Sequence, residues 1–328
     1  MTAEIPVLPK AVEFAALQLR EVVAEVRKVV VGQQAVIDQA LVGLLSGGHV
    51  LVEGVPGLGK TLLAKALART FRGDFARIQF TPDLMPSDVT GHTIYDPGTG
   101  RFTTRRGPVF THFLLADEVN RAPAKTQAAL LEVMQEGQVT IEGESHRLAS
   151  PFIVFATQNP IEHEGTYPLP DAQLDRFLLN VRIAYPSADE ELALTRQVTH
   201  GTVGDRLNVD AVEPRLDPES LVALQTLAAA LVVDDRVIDY AVRIARSTRD
   251  HPGLTRGAGP RASIALVRAA RAKALMAGRA FATPDDVKEV VLPVLRHRAT
   301  LTPDFEIEGR DIDSVLGDLI ERTEAPRL

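Results

Sequence analysis

The chain has no cysteine among its 328 residues, which removes disulfides, thiolate nucleophiles and every zinc site built on sulfur. It is also short of positive charge. Lys and Arg number 36 against 43 Asp and Glu, a net charge of −7, and that balance disfavours wrapping nucleic acid as a main task. Long apolar runs are missing too. The longest uncharged apolar stretch, residues 41–52, is interrupted by Ser46, Gly47, Gly48 and His49 and is too short to span a bilayer. The opening MTAEIPVLPK carries Glu4 and two prolines where a secretion signal would have a basic region and an apolar core. A cytoplasmic protein is the expectation.

What is present suits a globular protein: 45% apolar and 24% charged residues, in a chain long enough for two domains. Helical spacing over residues 12–30 and 34–45 predicts two helices ahead of the first strand. Apolar runs at residues 49–53, 76–80, 113–116, 152–157 and 178–183 predict a mostly parallel sheet covered on both faces. Residues 93–105 and 138–148 alternate and turn, and read as inserted β-hairpins. After Pro186 helix follows helix, with start signals at Ser187 and Glu190, at Asp217 and Pro218, and at Thr283, Pro284 and Asp286. The expected division is an α/β domain over residues 1–186 and a helical domain over 187–328. Residues 236–279 hold ten Lys or Arg against two acidic residues, either a solvated helix face or a surface for an acidic partner or phosphate.

The sharpest local signal is GVPGLGKT at residues 54–61, a G-x4-G-K-S/T match between a strand and a helix. Glycines let successive N–H groups and the helix N-terminus face phosphate oxygens; Lys60 would reach the β and γ phosphates and the Thr61 hydroxyl would ligate Mg²⁺. Candidate cofactor contacts here are Gly54, Pro56, Gly57, Leu58, Gly59, Lys60, Thr61 and Leu62. The expected cofactors are ATP and Mg²⁺.

FLLADE at residues 113–118 is an apolar strand ending in two acids. Asp117 at the strand end would hold Mg²⁺ through water, and Glu118 beside it is placed to act as general base toward the attacking water. Asn159, after another apolar strand, could orient that water or simply form a turn before Pro160. Arg176 precedes the last strand and Arg261 opens a helix; taken singly, either could be an ordinary surface ion pair. His49, His112, His146 and His163 show no metal-ligand spacing.

The ordered blocks GVPGLGKT, FLLADEVNRAPAKTQAALLEVMQEGQVT, FATQNPIEHEGTYPLPDAQLDRFLL and GPRAS strongly resemble the MoxR family of AAA+ ATPases. The resemblance runs from about residue 30 to residue 298. It implies a P-loop AAA+ αβα sandwich with a parallel five-stranded sheet, β-hairpin inserts and an all-α lid. It also implies a ring of identical copies, most often a hexamer, with ATP between neighbours. By position, Asn159 matches sensor 1, Arg176 the arginine finger for the adjacent copy, and Arg261 sensor 2. Val31, Gly32 and Gln33 match the segment near adenine, while Arg121 is a weaker finger candidate. The likeness further implies a chaperone or activator of client complexes, working with a partner that bears a von Willebrand factor A domain. A nucleic-acid translocase and a metal chelatase motor subunit are the alternatives; no nucleic acid and no membrane segment are expected.

Overall fold

The computed structural model describes residues 8–98, 100–160, 165–199 and 209–327. Helices α1 (Pro9–Arg27) and α2 (Gln34–Leu45) come first. α1 buries Val12, Ala15, Leu19, Val22 and Val26, a single stripe at helical spacing that faces the core. β1 (Val50–Glu53), α3 (Lys60–Arg69), β2 (Phe75–Gln79), α4 (Pro86–Thr90), β3 (Gly91–Asp96), β4 (Arg101–Arg106) and β5 (Phe113–Asp117) follow. Then come α5 (Ala124–Glu136), β6 (Gln138–Ile141), β7 (Glu144–Arg147), β8 (Ile153–Gln158), α6 (Asp171–Leu174) and β9 (Leu179–Arg182).

β2, β5, β8, β1 and β9, in that order, make one five-stranded sheet in which every pair is parallel. Alternate residues serve opposite faces. Val52, Leu115 and Phe155 pack with α1, α2 and α3 on one side; Leu51, Leu114 and Val154 pack with α5 on the other. This two-sided burial is why the strands read as continuous apolar runs. All strands run the same way, so the sheet has a carboxyl edge, at Glu53, Asp117 and Gln158, and an amino edge, where Leu178 N–H donates to His49 O at 2.8 Å.

Both hairpins form. β3 pairs antiparallel with β4 from Gly91↔Arg106 to Asp96↔Arg101, and β6 pairs with β7. Every residue of β4 is exposed, so the first hairpin stands outside the core.

The C-terminal part contains α7 (Ala188–Thr199), α8 (Pro218–Ala230), β10 (Val232–Val233), α9 (Asp235–Ser247), β11 (Leu254–Arg256) and α10 (Pro260–Met276). β12 (Phe281–Ala282), α11 (Pro284–Leu295), β13 (Thr300–Leu301), α12 (Pro303–Ile307) and α13 (Ile312–Arg322) complete it. The helix starts follow their side chains. Asp217 accepts the Ser220 N–H at 2.8 Å, and Thr283 with Asp286 forms a reciprocal capping box. Two features go beyond the expected helices: β10 pairs with β12 and β11 with β13, short ties between helix ends. Among the described residues no helix is long and apolar enough to cross a membrane.

Candidate nucleotide site

α2 runs antiparallel to β1: Gly43, near its C-terminus, lies so close to Val50 that a Cβ there would meet Val50 Cγ2 at 2.3 Å. Its N-terminus, with Val31, Gly32 and Gln33, is thereby brought toward the carboxyl edge of the sheet. The P-loop leaves β1 at that same edge. Gly57 and Gly59 adopt φ of +86° and +81° with open space where a Cβ would stand, a conformation that glycine takes without penalty. α3 begins at Lys60 with Gly59 as its N-cap and no side-chain cap, so its first N–H groups face the concavity of the loop. Lys60 Nζ donates to the Gly54 and Val55 carbonyls. Leu58 and Leu62 are partly buried against the main core and fix the loop from beneath, while Pro56 is exposed.

Asp117 ends β5 and is buried. Its Oδ1 accepts the Thr157 hydroxyl at 2.6 Å; its Oδ2 accepts the Thr61 hydroxyl at 3.1 Å and Arg77 Nη2 at 2.8 Å. The P-loop threonine and the strand-end acid are therefore in contact. Glu118 follows in the left-handed region, φ 57°, which turns its side chain out of the strand path. Glu118 N–H donates to Thr157 Oγ1 at 2.9 Å, while Gln79 Nε2 at 2.7 Å and Arg121 Nη1 at 3.1 Å both donate to Glu118 Oε2. Asn159 lies just past β8, between β1 and β5 in the sheet. It is buried, and its carbonyl accepts Asn120 Nδ2 at 3.3 Å.

Arg77, Gln79 and Thr157 are absent from the sequence-based set because they sit on neighbouring strands, where only the sheet register brings them to the two acids. Glu190 is a further addition. Its carboxylate accepts the Ser187 N–H and hydroxyl, both at 2.9 Å, and also the Gln33 N–H; these bonds, Ser187 first, hold its pKa below the ordinary carboxylate value. Glu190 Oε1 stands 2.4 Å from where a Gly32 Cβ would be. The φ of +66° at Gly32 is one that glycine takes without strain, and the mobile end of the Glu190 side chain rests against it. The Ser187 and Glu190 spacing signalled the helix cap but not this contact.

Arg176 and Arg261 are elsewhere. Both line a cavity of about 280 Å³ at the amino edge, together with His49, Asp175, Arg268 and Arg298. Arg176 Nη1 donates to Leu131 O at 2.7 Å, and Arg261, 57% exposed, stands 3.7 Å from Asp175 Oδ2. Of the histidines, His49 is fixed by Val154 N–H on Nδ1 at 3.1 Å and Met134 O on Nε2 at 3.0 Å. His112 Nδ1 accepts the Asp74 N–H and His146 meets Phe110 edge-on; His163 lies outside the described residues.

Residues 49–179 match the ATPase family associated with various cellular activities (AAA), and residues 246–319 match an AAA lid domain. Chaperone MoxR1 of Mycobacterium tuberculosis is 45% identical over 94% of this chain and 83% of its own length. The chain belongs to the MoxR family of AAA+ ATPases. Protein MoxR of Methylorubrum extorquens is 32% identical over 88% of this chain and 89% of its own. A crystal structure of a provisionally assigned ATPase from Cytophaga hutchinsonii matches with a TM-score of 0.87 at 39% identity, covering 97% of this chain and 98% of that one.

The residues of this MoxR-family chain fit a magnesium nucleotide. Lys60 and the N–H groups of the glycine loop are donors set for phosphate oxygens. Thr61 and Asp117 present oxygen ligands already in contact, the donor type that Mg²⁺ takes alongside phosphate and water.

Proposed function

We propose that this chain assembles with identical copies into a ring, six being the number the family likeness implies, hydrolyses Mg·ATP between neighbours and uses the cycle to remodel client proteins. The observation that carries the reading is the division of the candidate residues between the two edges of the sheet. Lys60, Thr61, Asp117 and Glu118 stand at the carboxyl edge, Arg176 and Arg261 at the amino edge. The four-residue strands β1 and β9 alone put about 10 Å between the two edges. Arginines so placed suit a neighbour's site rather than their own.

Within one copy, Lys60 and the loop N–H groups bind and orient the phosphates, Thr61 and Asp117 are the oxygen donors for Mg²⁺, and Val31, Gly32 and Gln33 line the base. Mg·ATP, when bound, supplies the phosphoanhydride whose terminal phosphoryl group passes to water. Glu118 takes a proton from that water, held in place by Gln79 and Arg121; Asn159 orients it. From the next copy, Arg176 meets the charge that develops on the phosphoryl oxygens, a role worth roughly 10³ to 10⁵ in rate. Arg261 acts across the same interface, a reading supported by its pairing with Asp175, next to Arg176. Client remodelling is supported by the chaperone name of a relative at 45% identity, and a von Willebrand A-type partner by the family likeness.

Subunit mixing tests the split site. Arg176→Ala should bind ATP without turning it over, and Lys60→Ala should not bind. Together they should recover activity, because some interfaces join an intact P-loop to an intact finger. No recovery at any ratio, with mixed rings demonstrated, overturns the arrangement. A several-fold rise in turnover with DNA or RNA at about 150 mM salt, and none with the partner, overturns the client reading.

A further inference from the structure

The lid reaches the loop that carries Arg176 through buried side chains that follow α11, Arg298 foremost among them. Arg298 follows α11 and is 4% exposed. Its Nε donates to Asp175 Oδ1 at 2.7 Å, its Nη2 to Phe177 O at 2.6 Å and its Nη1 to Leu178 O at 3.1 Å. Its two predecessors reinforce the contact: the His297 ring shares a hydrogen bond with Phe177 O at 3.1 Å, and Arg296 Nη1 donates to Asn180 O at 3.1 Å. Residues on both sides of Arg176 are thus gripped from the lid, and Asp175 also faces Arg261 at 3.7 Å.

Burying a guanidinium is unfavourable unless its fork is filled. Here the Asp175 carboxylate and the Phe177 and Leu178 carbonyls fill it, with the Val294 carbonyl of α11 also accepting from Nη1, in the planar pattern that only arginine matches. A contact meant merely to close the core could be apolar; this one fixes backbone atoms immediately before and after Arg176. We propose that Arg298 is a positioning residue for Arg176: with Asp175 it locks the finger loop to the lid, so that lid and finger move as one piece relative to the neighbouring copy. The inference rests on the proposal that Arg176 acts across the interface.

Arg298→Lys keeps the charge and loses the fork. Ring assembly and ATP affinity should stay within about twofold of the parent, while kcat falls by about 10², the loss that a misplacement of roughly 1 Å produces, and KM hardly moves. Mixing this variant with Lys60→Ala subunits should restore turnover, as it should for Arg176→Ala, because the variant's own P-loop is intact. Added to Arg176→Ala, Arg298→Lys should bring no further loss, as expected of two residues acting as one unit. If Arg176→Ala abolishes turnover and Arg298→Lys leaves kcat within about twofold of the parent, the inference is overturned. So is it if mixing restores Arg176→Ala but not Arg298→Lys, since the role is then one of fold alone. Full turnover in Arg176→Ala overturns the finger reading instead. Should Arg298→Lys not assemble, Asp175→Asn, which keeps the side-chain shape, is judged by the same criteria.

Discussion

Glu118 Oε2 accepts from both Gln79 and Arg121, which fixes where the carboxylate points while Asp117 stays bound to Thr61. Glu118→Gln should therefore bind Mg·ATP about as well as the parent and lose roughly 10² to 10⁴ in turnover, the contribution of a general base. Turnover within a few-fold of the parent would remove Glu118 from that role. A second consequence concerns pH. Burial first, and then Arg268, lower the His49 pKa from 6.5 to about 4, with the Met134 carbonyl acting the other way. Its Nδ1 accepts the Val154 N–H, so the ring is held neutral. The unfolded chain therefore binds a proton near pH 6.5 that the folded chain refuses until about pH 4. Stability contributed above pH 6.5 should fall through that window by up to about 3 kcal/mol. His297, buried beside Arg298 and also lowered well below its ordinary value, adds in the same direction. Denaturant midpoints at pH 7.5 and 4.5 check this; His49→Asn, which does not titrate, should show a smaller drop. At this scale the sequence marked Lys60, Thr61, Asp117 and Glu118 as candidates because the first two follow the glycine loop after β1 and the last two stand at the end of the apolar strand β5. Arg77 and Thr157 left no local trace, since their role depends on which strands become neighbours.

Elements were legible where a local signal marks them. The caps at Asp217 and Thr283 lie where the side-chain chemistry requires, and the apolar runs became the five parallel strands. β10 and β12 are two residues each, too short for any periodicity to announce them. Equally invisible was the way α1 is tied to the segment leading into α8. Glu25, 3% exposed, accepts the Glu213 N–H at 3.0 Å and Arg215 Nε at 2.9 Å, and pairs with Lys28 at 2.6 Å. The Glu213 N–H first, then Lys28 and Arg215, pull its pKa down to about 2. Glu25→Gln should destabilise by about 2 kcal/mol at neutral pH, as loss of hydrogen bonds to a charged group does. The carboxylate contributes above its ordinary value of 4.5 and stops contributing as pH falls toward about 2. The gap in denaturant midpoint between parent and Glu25→Gln should thus narrow steadily below pH 4.5; a gap independent of pH would show that the charge is not what matters.

For the molecule as a whole, motif order indicated the architecture, yet not which side of the sheet each arginine faces. That placement emerges only once α10 and the loop before β9 are seen to meet at the amino edge, with Arg176 and Arg261 around one cavity. It has a direct consequence for how activity depends on concentration. A site completed within one chain turns over at a constant rate per copy however dilute the protein. A site that joins Lys60, Asp117 and Glu118 of one copy to Arg176 of the next loses its finger whenever the interface dissociates, and with it roughly 10³ to 10⁵ in rate. ATP binding draws on the P-loop of a single copy and should survive dilution far better. Turnover per copy should therefore fall steeply over the same concentration range in which the assembly dissociates by mass photometry, while binding of a fluorescent ATP analogue changes little. Constant turnover per copy under conditions where only monomer is present would place the complete site within one chain.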